Sequence, residues 1–497
     1  MTSADVDEAD VQGLVRFGHG KLTEACFLLL QIADRRAAQS WLATAKVTSA
    51  ADPPAATAMQ VAFTREGLEA LGVPADVVAG FSNEFISGMA GEDSRSRRLG
   101  DVGASDPSRW QWGQPGRVPH VAVLLYAAAH HLADWKRAIR GRDWDRAFTV
   151  LEDLPTSDMD GIEPFGFADG ISQPVLDWRR QLPATGDDRI DFSNLAALGE
   201  FLLGYPNEYG KYTDRPLLQA EPGRDLPTAE DRAGMQDLGR NGTYLVVRHL
   251  SQDVRRFWQF LDEQTKADEA ARRQLAEAMV GRTMSGRPLV PTTARPIAGI
   301  GPDPDDIKLN RFTYDSDATG TRCPFGAHVR RANPRNGDLP GHPASLVARL
   351  IRILGFGRKG PREDLMASVR FHRILRRGRE YGPALLPEDA LKSGPAGEDR
   401  GLHFICLNAN ISRQFEFVQN AWMMGTKFNG LTEESDPLMG NRQAVAGCPA
   451  TDTFSVPQEN GIPSRVTGLP QFVTVRGGAY FFLPGIRALR YFARIGG

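Results

Sequence analysis

Three short stretches carry side chains able to act on a bound group. Asp169 lies in Gly166-Phe-Ala-Asp169-Gly170-Ile-Ser-Gln-Pro174, His328 in Cys323-Pro-Phe-Gly-Ala-His328-Val-Arg-Arg-Ala-Asn-Pro334-Arg335, and Arg376 in His372-Arg-Ile-Leu-Arg376-Arg-Gly-Arg-Glu-Tyr-Gly382. Small residues ahead of His328 let a large planar cofactor approach its ring, and the arginines after it can pair with acidic substituents. On spacing alone, a metal ligand and a packed core histidine both fit this position. Asp169-Gly170 taken bare is a turn signal. The cluster Arg373, Arg376, Arg377, Arg379 could face nucleic acid, but no aromatic platform interleaves it. An always-charged planar donor suits a buried site equally well.

Other motifs fall away. Gly355, Gly357 and Gly360 match G-x-G-x-x-G, yet residues 346–354 alternate Arg with Leu and Ile as an exposed helix would, so the strand that a dinucleotide turn needs is missing. No HExxH, GxSxG or Walker A pattern occurs.

The positioning elements are those of a mixed α and β chain. At 497 residues, with 41% hydrophobic and 24% charged residues, two domains are expected. Lys+Arg of 59 against Asp+Glu of 61 leaves a net charge of -2, which gives no field to gather nucleic acid or an anionic membrane. The longest apolar run, Val121 to Ala129, is too short to span a bilayer. Cys26, Cys323, Cys406 and Cys448 form no CxxC and read as reduced thiols. The acidic amino terminus has no export signal, so a cytoplasmic location is expected.

Cys26 to Ala33, Met59 to Phe63 and His120 to Tyr126 read as strands, the last two followed by helices over Thr64 to Leu71 and Ala127 to Arg140. A second series starts near Gly199 to Gly204 and continues with Gly242 to Val247. It then enters a helix capped at Ser251, whose Val254, Phe257, Trp258 and Leu261 share one face. Asp268 to Val280 forms another helix, stopped by Gly281. Tyr212 to Gly239 reads as a long loop.

Taken together and in this order, the three stretches resemble the dye-decolourising peroxidases, a haem family. Val11-Gln-Gly13, Phe81-x-x-Glu84-Phe85-x-x-Gly88-Met89, Gly199 to Gly210 and Gly401 to Phe404 also look like its longer bacterial-type members, so the resemblance covers most of the chain. It implies an α+β fold of two ferredoxin-like domains with mainly antiparallel sheets, residues 1–165 and 166–497, dividing somewhere in 150–190. The second domain would hold most of one haem b per chain. His328 matches the proximal iron ligand, Asp169 the distal acid–base residue and Arg376 the distal arginine. Leu402 and Phe404 look like the apolar cover of the distal face, Asp436 like the acceptor of the other N–H of His328, and Arg330 like a haem-propionate partner.

The activity implied is reduction of hydrogen peroxide, with phenols or bulky anthraquinone-type dyes supplying electrons singly. Donors too large for the pocket would react through a surface aromatic residue, for which Trp178, Trp258, Tyr381 and Trp422 are chemically eligible. The other readings are a haem carrier or sensor without turnover, and a protein that releases iron from haem. Oligomeric state is left open, and the residues between Arg335 and His372 are expected to form a helical insertion.

Overall fold

The computed structural model describes residues 6–180, 195–223, 225–291, 309–310, 312–335, 367–392, 397–444 and 450–496. The segment 346–360, with its three glycines, and Cys448 lie outside the described residues, as does most of the expected insertion before His372.

Among the described residues, nine strands share one sheet. They are β1 (Glu24–Ile32), β2 (Thr57–Phe63), β3 (Val121–Ala127), β4 (Phe148–Pro155), β5 (Thr243–Gln252), β6 (Leu375–Arg376), β7 (Arg379–Tyr381), β8 (Gly401–Asn408) and β9 (Val473–Leu483). Their order is β6-β8-β5-β9-β2-β3-β1-β4, with β7 also on β8, and every pairing is antiparallel. The fold is therefore α+β. The apolar runs that predict β1 and β3 are continuous because both sheet faces are covered: Cys26, Leu28 and Leu30 enter one core, while Ala25, Phe27 and Leu29 enter the other.

Among the helices are α1 (Arg35–Thr44), α2 (Val254–Thr265), α3 (Glu269–Val280), α4 (His328–Ala332) and α5 (Ile486–Phe492), of which α3 and α4 send residues to the site. The Asp268 side chain caps α3, and Gly281 ends it at φ 93°, a left-handed conformation natural to glycine. The cap of α2 is Asp253, which accepts the Arg256 N–H at 2.9 Å, and not Ser251. Ser251 is still in β5, with its hydroxyl on Asp399 at 2.7 Å. The helix expected over 127–140 shortens to Leu132–Ala138, because Ala127 remains paired with Glu24 in the sheet. Residues 199–204 form no strand. Leu198–Glu200 is a tight turn in which a Cβ on Gly199 would sit 2.3 Å from the Tyr205 carbonyl.

Strand β9 ties the two ends of the sheet together. It pairs with β5 over ten positions but with β2 only at Phe482–Phe63. Packing makes up for that thin ladder. The Trp112 indole lies on Gly477, where a Cβ would come within 2.6 Å of the ring, and Gln12 Nε2 donates to the Pro484 carbonyl at 2.9 Å. Just beyond, the Ile486 N–H donates to Asp10 O at 2.8 Å, and Phe492 of α5 meets Phe63 edge-on.

Candidate active site

A cavity of about 270 Å³ opens on one face of β5 and β8. Strand alternation selects its floor: Arg248, Leu250 and Gln252 from β5 and Leu402 and Phe404 from β8 face it. His403, between the last two, turns to the opposite face and stacks on Tyr381 at 4.5 Å. Leu402 and Phe404 thus both line the cavity, as expected of an apolar cover.

Asp169 reaches the cavity from the loop before β5. Gly166 and Gly170 flank it at φ 99° and 76°, so the two motif glycines provide turns that other residues adopt with strain. The Asp169 N–H donates to Gly161 O and the Ala168 N–H to Met284 O, both at 2.9 Å. Arg376, on β6, places Nη1 2.8 Å from Asp169 Oδ1. Its own backbone N–H donates to Gln173 Oε1 at 3.0 Å. Burial works to raise the Asp169 pKa, but the Arg376 charge and hydrogen bond outweigh it and hold the carboxyl below its ordinary value.

Glu163 fixes the same loop. Its carboxylate accepts the N–H groups of Phe165 and Phe167 at 3.0 and 3.1 Å, and the Gln252 amide at 3.0 Å. Burial, opposed by these bonds and assisted by the nearby Asp169 charge, pushes its pKa up to about 7. Two carboxyl groups on one loop are thus driven in opposite directions.

His328 begins α4 and enters the cavity from another element. Its Nδ1 lies 3.1 Å from Asp436 Oδ2 and 3.2 Å from Oδ1. Asp436 is fully buried and also accepts the N–H groups of Leu438 and Met439 at 2.9 and 2.8 Å. Burial disfavours the imidazolium, yet the Asp436 carboxylate raises the His328 pKa overall. Such a carboxylate fixes the ring tautomer with the proton on Nδ1 and leaves the Nε2 lone pair free to bind a metal.

Arg330 does not line the cavity. It stands two residues after His328 on α4, some 200° around the helix axis, and so points away. Its Nη1 is held by Asp317 Oδ2 at 2.9 Å and by the Cys323 carbonyl at 2.6 Å, beneath the ring of Tyr314. Arg282 and Arg373 do line the cavity, as do Arg248 and Arg376. Arg282 donates from Nη1 to Gly286 O at 2.7 Å, while its buried Nη2 has no hydrogen-bond partner among the described residues.

These residues fit haem. A buried cation with an open donor suits an acidic substituent, the histidine presents one free nitrogen, and the remaining walls are largely apolar. A helical run with five-residue hydrogen-bond steps, Ser412–Glu416 and Val418–Met424, supplies Phe415, Val418 and Trp422 to those walls. Of the eligible aromatics, Trp422 lines the cavity, Trp258 is buried with Nε1 on Phe165 O at 3.2 Å, and Tyr381 is nearly buried. The sequence motifs missed Glu163, Gln173, Gln252 and Arg282, single polar residues without periodic context. Only the position of Glu163 and Gln173 beside the Asp169 motif could have singled them out.

Fold and cavity together give an α+β protein whose pocket fits haem and holds an Asp169–Arg376 ion pair. No family model matches the chain. Among curated proteins, the dye-decolorizing peroxidase msp1 of Mycetinis scorodonius is 28% identical over 98% of this chain and 88% of its own length. The multifunctional dye peroxidase of an Amycolatopsis species is 28% identical over 90% and 83%. Among solved structures, the fungal peroxidase of this type from Auricularia auricula-judae aligns at TM-score 0.72 and 25% identity, covering 99% of this chain and 100% of that one. A dye-decolorizing peroxidase in complex with 2,6-dimethoxyphenol aligns at TM-score 0.70 and 26% identity, over 98% and 100%. Along nearly its whole length the chain is similar to dye-decolourising peroxidases, which are haem-dependent oxidoreductases acting on peroxide.

Proposed function

We propose that this protein reduces hydrogen peroxide at a haem and oxidises phenolic or anthraquinone-type donors in one-electron steps, with Asp169 and Arg376 as its acid–base and charge-stabilising residues. The observation that carries the reading is the 2.8 Å Asp169–Arg376 pair in the same cavity as the His328–Asp436 pair. A haem, one b-type group per chain, would supply an iron able to bind peroxide and to give up the two electrons that its reduction needs. His328 Nε2 would hold that iron, and Arg282 would pair with a propionate.

The peroxide must lose a proton from its near oxygen and gain one on its far oxygen before the O–O bond breaks unevenly. One ionised carboxylate can do both in turn, and Asp169 is kept ionised for the first half of that transfer. Arg376 cannot act as the base, because guanidinium does not deprotonate near neutrality. Its charge stabilises the far oxygen as that atom becomes negative. Asp436 accepts the Nδ1 proton of His328 and so holds the ring in one orientation. Leu402 and Phe404 keep bulk water from the transfer.

A carrier or sensor needs the histidine and an apolar pocket but makes no use of the distal pair. The near-zero net charge of -2 argues against nucleic acid as a partner. No helix among the described residues is long and apolar enough to cross a membrane. A cytoplasmic setting and a division of the chain between residues 150 and 190 complete the reading. The test is the visible spectrum of haem-loaded protein with one equivalent of peroxide, in wild type and Asp169→Asn. A band that shifts fast in wild type and slowly in the variant supports it; a haem spectrum unmoved in both favours a carrier.

A further inference from the structure

Glu163, on the loop that carries Asp169, turns its carboxyl to the same cavity, and among the described residues these are the two carboxyl side chains that line it. Glu163 is held at both oxygens. Oε1 accepts the Phe167 N–H at 3.1 Å, and Oε2 accepts the Phe165 N–H and the Gln252 amide, each at 3.0 Å. The Phe165 carbonyl in turn accepts Trp258 Nε1 of α2 at 3.2 Å, so the loop is fixed from that helix as well as from β5.

Reduction of one peroxide to two waters takes up two electrons and two protons. The first water leaves with the proton that Asp169 has moved from the near oxygen to the far one, so the oxygen left behind must draw both of its protons from elsewhere. The ionisable groups lining the cavity differ in what they can give. Asp169 is paired with Arg376 at 2.8 Å and stays ionised. Guanidiniums release no proton near neutrality. His372 carries its proton on Nδ1, against the Arg413 carbonyl, and burial lowers its pKa, so its Nε2 is bare. The Nδ1 proton of His328 is directed to Asp436.

Glu163 is the opposite case. Burial, helped by the Asp169 charge and opposed by the three accepted bonds, lifts its pKa to about 7, so near neutrality it holds a proton that it can release. The charged groups on the elements around it reinforce this state. Asp169 shares its loop, Glu380 of β7 adds a carboxyl whose charge reaches Asp169, Arg376 of β6 is committed to Asp169, and Arg248 of β5 to buried Asp101.

We propose that Glu163 is the proton donor for the second water: as each electron arrives, its carboxyl passes a proton through the shared cavity to the oxygen that the first water left behind, and solvent reloads it. This rests on the peroxidase reading above. Two such events deliver two protons and two electrons to that oxygen and make water, and two solvent protons restore the carboxyl. With a phenol as donor the phenol returns those protons to solvent as it becomes a radical. With ferrocyanide, which carries no proton, one peroxide, two ferrocyanide ions and two protons become two waters and two ferricyanide ions. Asp169 first takes a proton and must be ionised, whereas Glu163 gives one and must be neutral; Arg376 bonds to the former alone.

The test combines a direct measure of protonation with turnover of ferrocyanide at saturating peroxide. Infrared spectra of haem-free and haem-loaded wild type should show the carbonyl stretch of a protonated carboxyl that fades as pH rises through about 7, and Glu163→Gln should lack it. Ferrocyanide turnover of the wild type should decline over the same range, while Glu163→Gln should be at least about tenfold slower below that range and show no such decline. Gln252→Leu keeps the carboxyl but removes a bond that favours its anion, so the infrared midpoint and the turnover decline should move together to higher pH. A carbonyl band unchanged in Glu163→Gln overturns the proposal. So does a variant that is slowed evenly with the wild-type decline intact, which would leave Glu163 as a support for the loop alone, or a Gln252→Leu band that moves without the decline. In all three outcomes the peroxidase reading stands; a wild-type haem band unmoved by peroxide overturns both.

Discussion

Gln173 and Arg376 are joined across 203 positions of sequence by a 3.0 Å bond from the Arg376 backbone N–H to the Gln173 side-chain oxygen. The loop that carries Asp169 is thereby fixed to the short strand that carries Arg376, independently of the ion pair between them. Removing this link with Gln173→Leu leaves both charges present but frees their offset. Misplacement of an acid–base residue by a fraction of an ångström lowers rates steeply, so the peroxide step should slow about tenfold or more with haem binding retained. Stopped-flow spectra of the loaded variant check this; an unchanged rate assigns the spacing to the ion pair alone.

The pH profile of that step should be flat through neutrality and fall only in strong acid. Burial raises the Asp169 pKa, but Arg376 overrides it and holds the folded value below the ordinary 3.8. A depressed carboxyl pKa means that the ionised form persists above that value and is lost as pH drops through the folded one. In Arg376→Leu the main opposition to burial is gone, so the acid limb should move to higher pH while the maximum rate drops. Asp169→Asn should lose about 10²–10⁴-fold in rate and show no acid limb of this origin.

Glu163 should give the opposite slope, and in stability. Burial pushes its pKa from 4.5 up to about 7, so its contribution is complete below the ordinary carboxyl range and is lost as pH rises through 7, when the buried anion forms. Melting temperatures of the wild type should therefore decline between about pH 5 and pH 8, and Glu163→Gln should flatten that decline. An equal slope in both proteins would place the titrating group elsewhere.

Asp436→Asn keeps the shape of the acceptor but removes the charge that orients His328. Haem affinity should weaken by about 10–100-fold, read by transfer of haem to an acceptor protein. Arg282→Met should also hasten haem loss, since it removes the buried donor with an open position. Arg330→Met should instead lower the melting temperature by stranding Asp317, its buried partner at 2.9 Å, and leave the haem spectrum unaltered.

The helix caps test local chemistry alone. Asp253→Ala removes the acceptor of the Arg256 N–H and should cost about 1 kcal/mol in chemical denaturation, whereas Ser251→Ala, two residues too early, should cost less.

Much of this molecule was legible in its residues. The continuous apolar runs of β1 and β3 announce strands covered on both faces, and the stripe Val254, Phe257, Trp258, Leu261 with the stop at Gly281 announces α2 and α3. What stayed hidden is non-local. The neighbours of β9 follow from packing of Trp112 and Phe63, and nothing in residues 473–483 names those partners. The site divides in the same way. Asp169, His328 and Arg376 sit in distinctive local motifs, and the structure brings all three to one cavity. Arg330 failed as a cavity residue because arginines clustered on a one-turn helix cannot all face the same side; its phase on α4 sends it to Asp317. Glu163 and Gln173 declare their importance only when the backbone N–H groups that they receive are seen.

Strand β9 also sets a timetable. On the ribosome, residues 24 to 155 emerge early and can pair β4, β1, β3 and β2, but Phe63 at the edge of β2 and the Trp112 indole remain uncovered until residues 473–483 have been made. The same late strand is the partner that β5 needs along its second edge, so the cavity floor is loose until then. The nascent chain thus carries an apolar edge through most of its synthesis, from the making of Phe63 to that of residues 473–483.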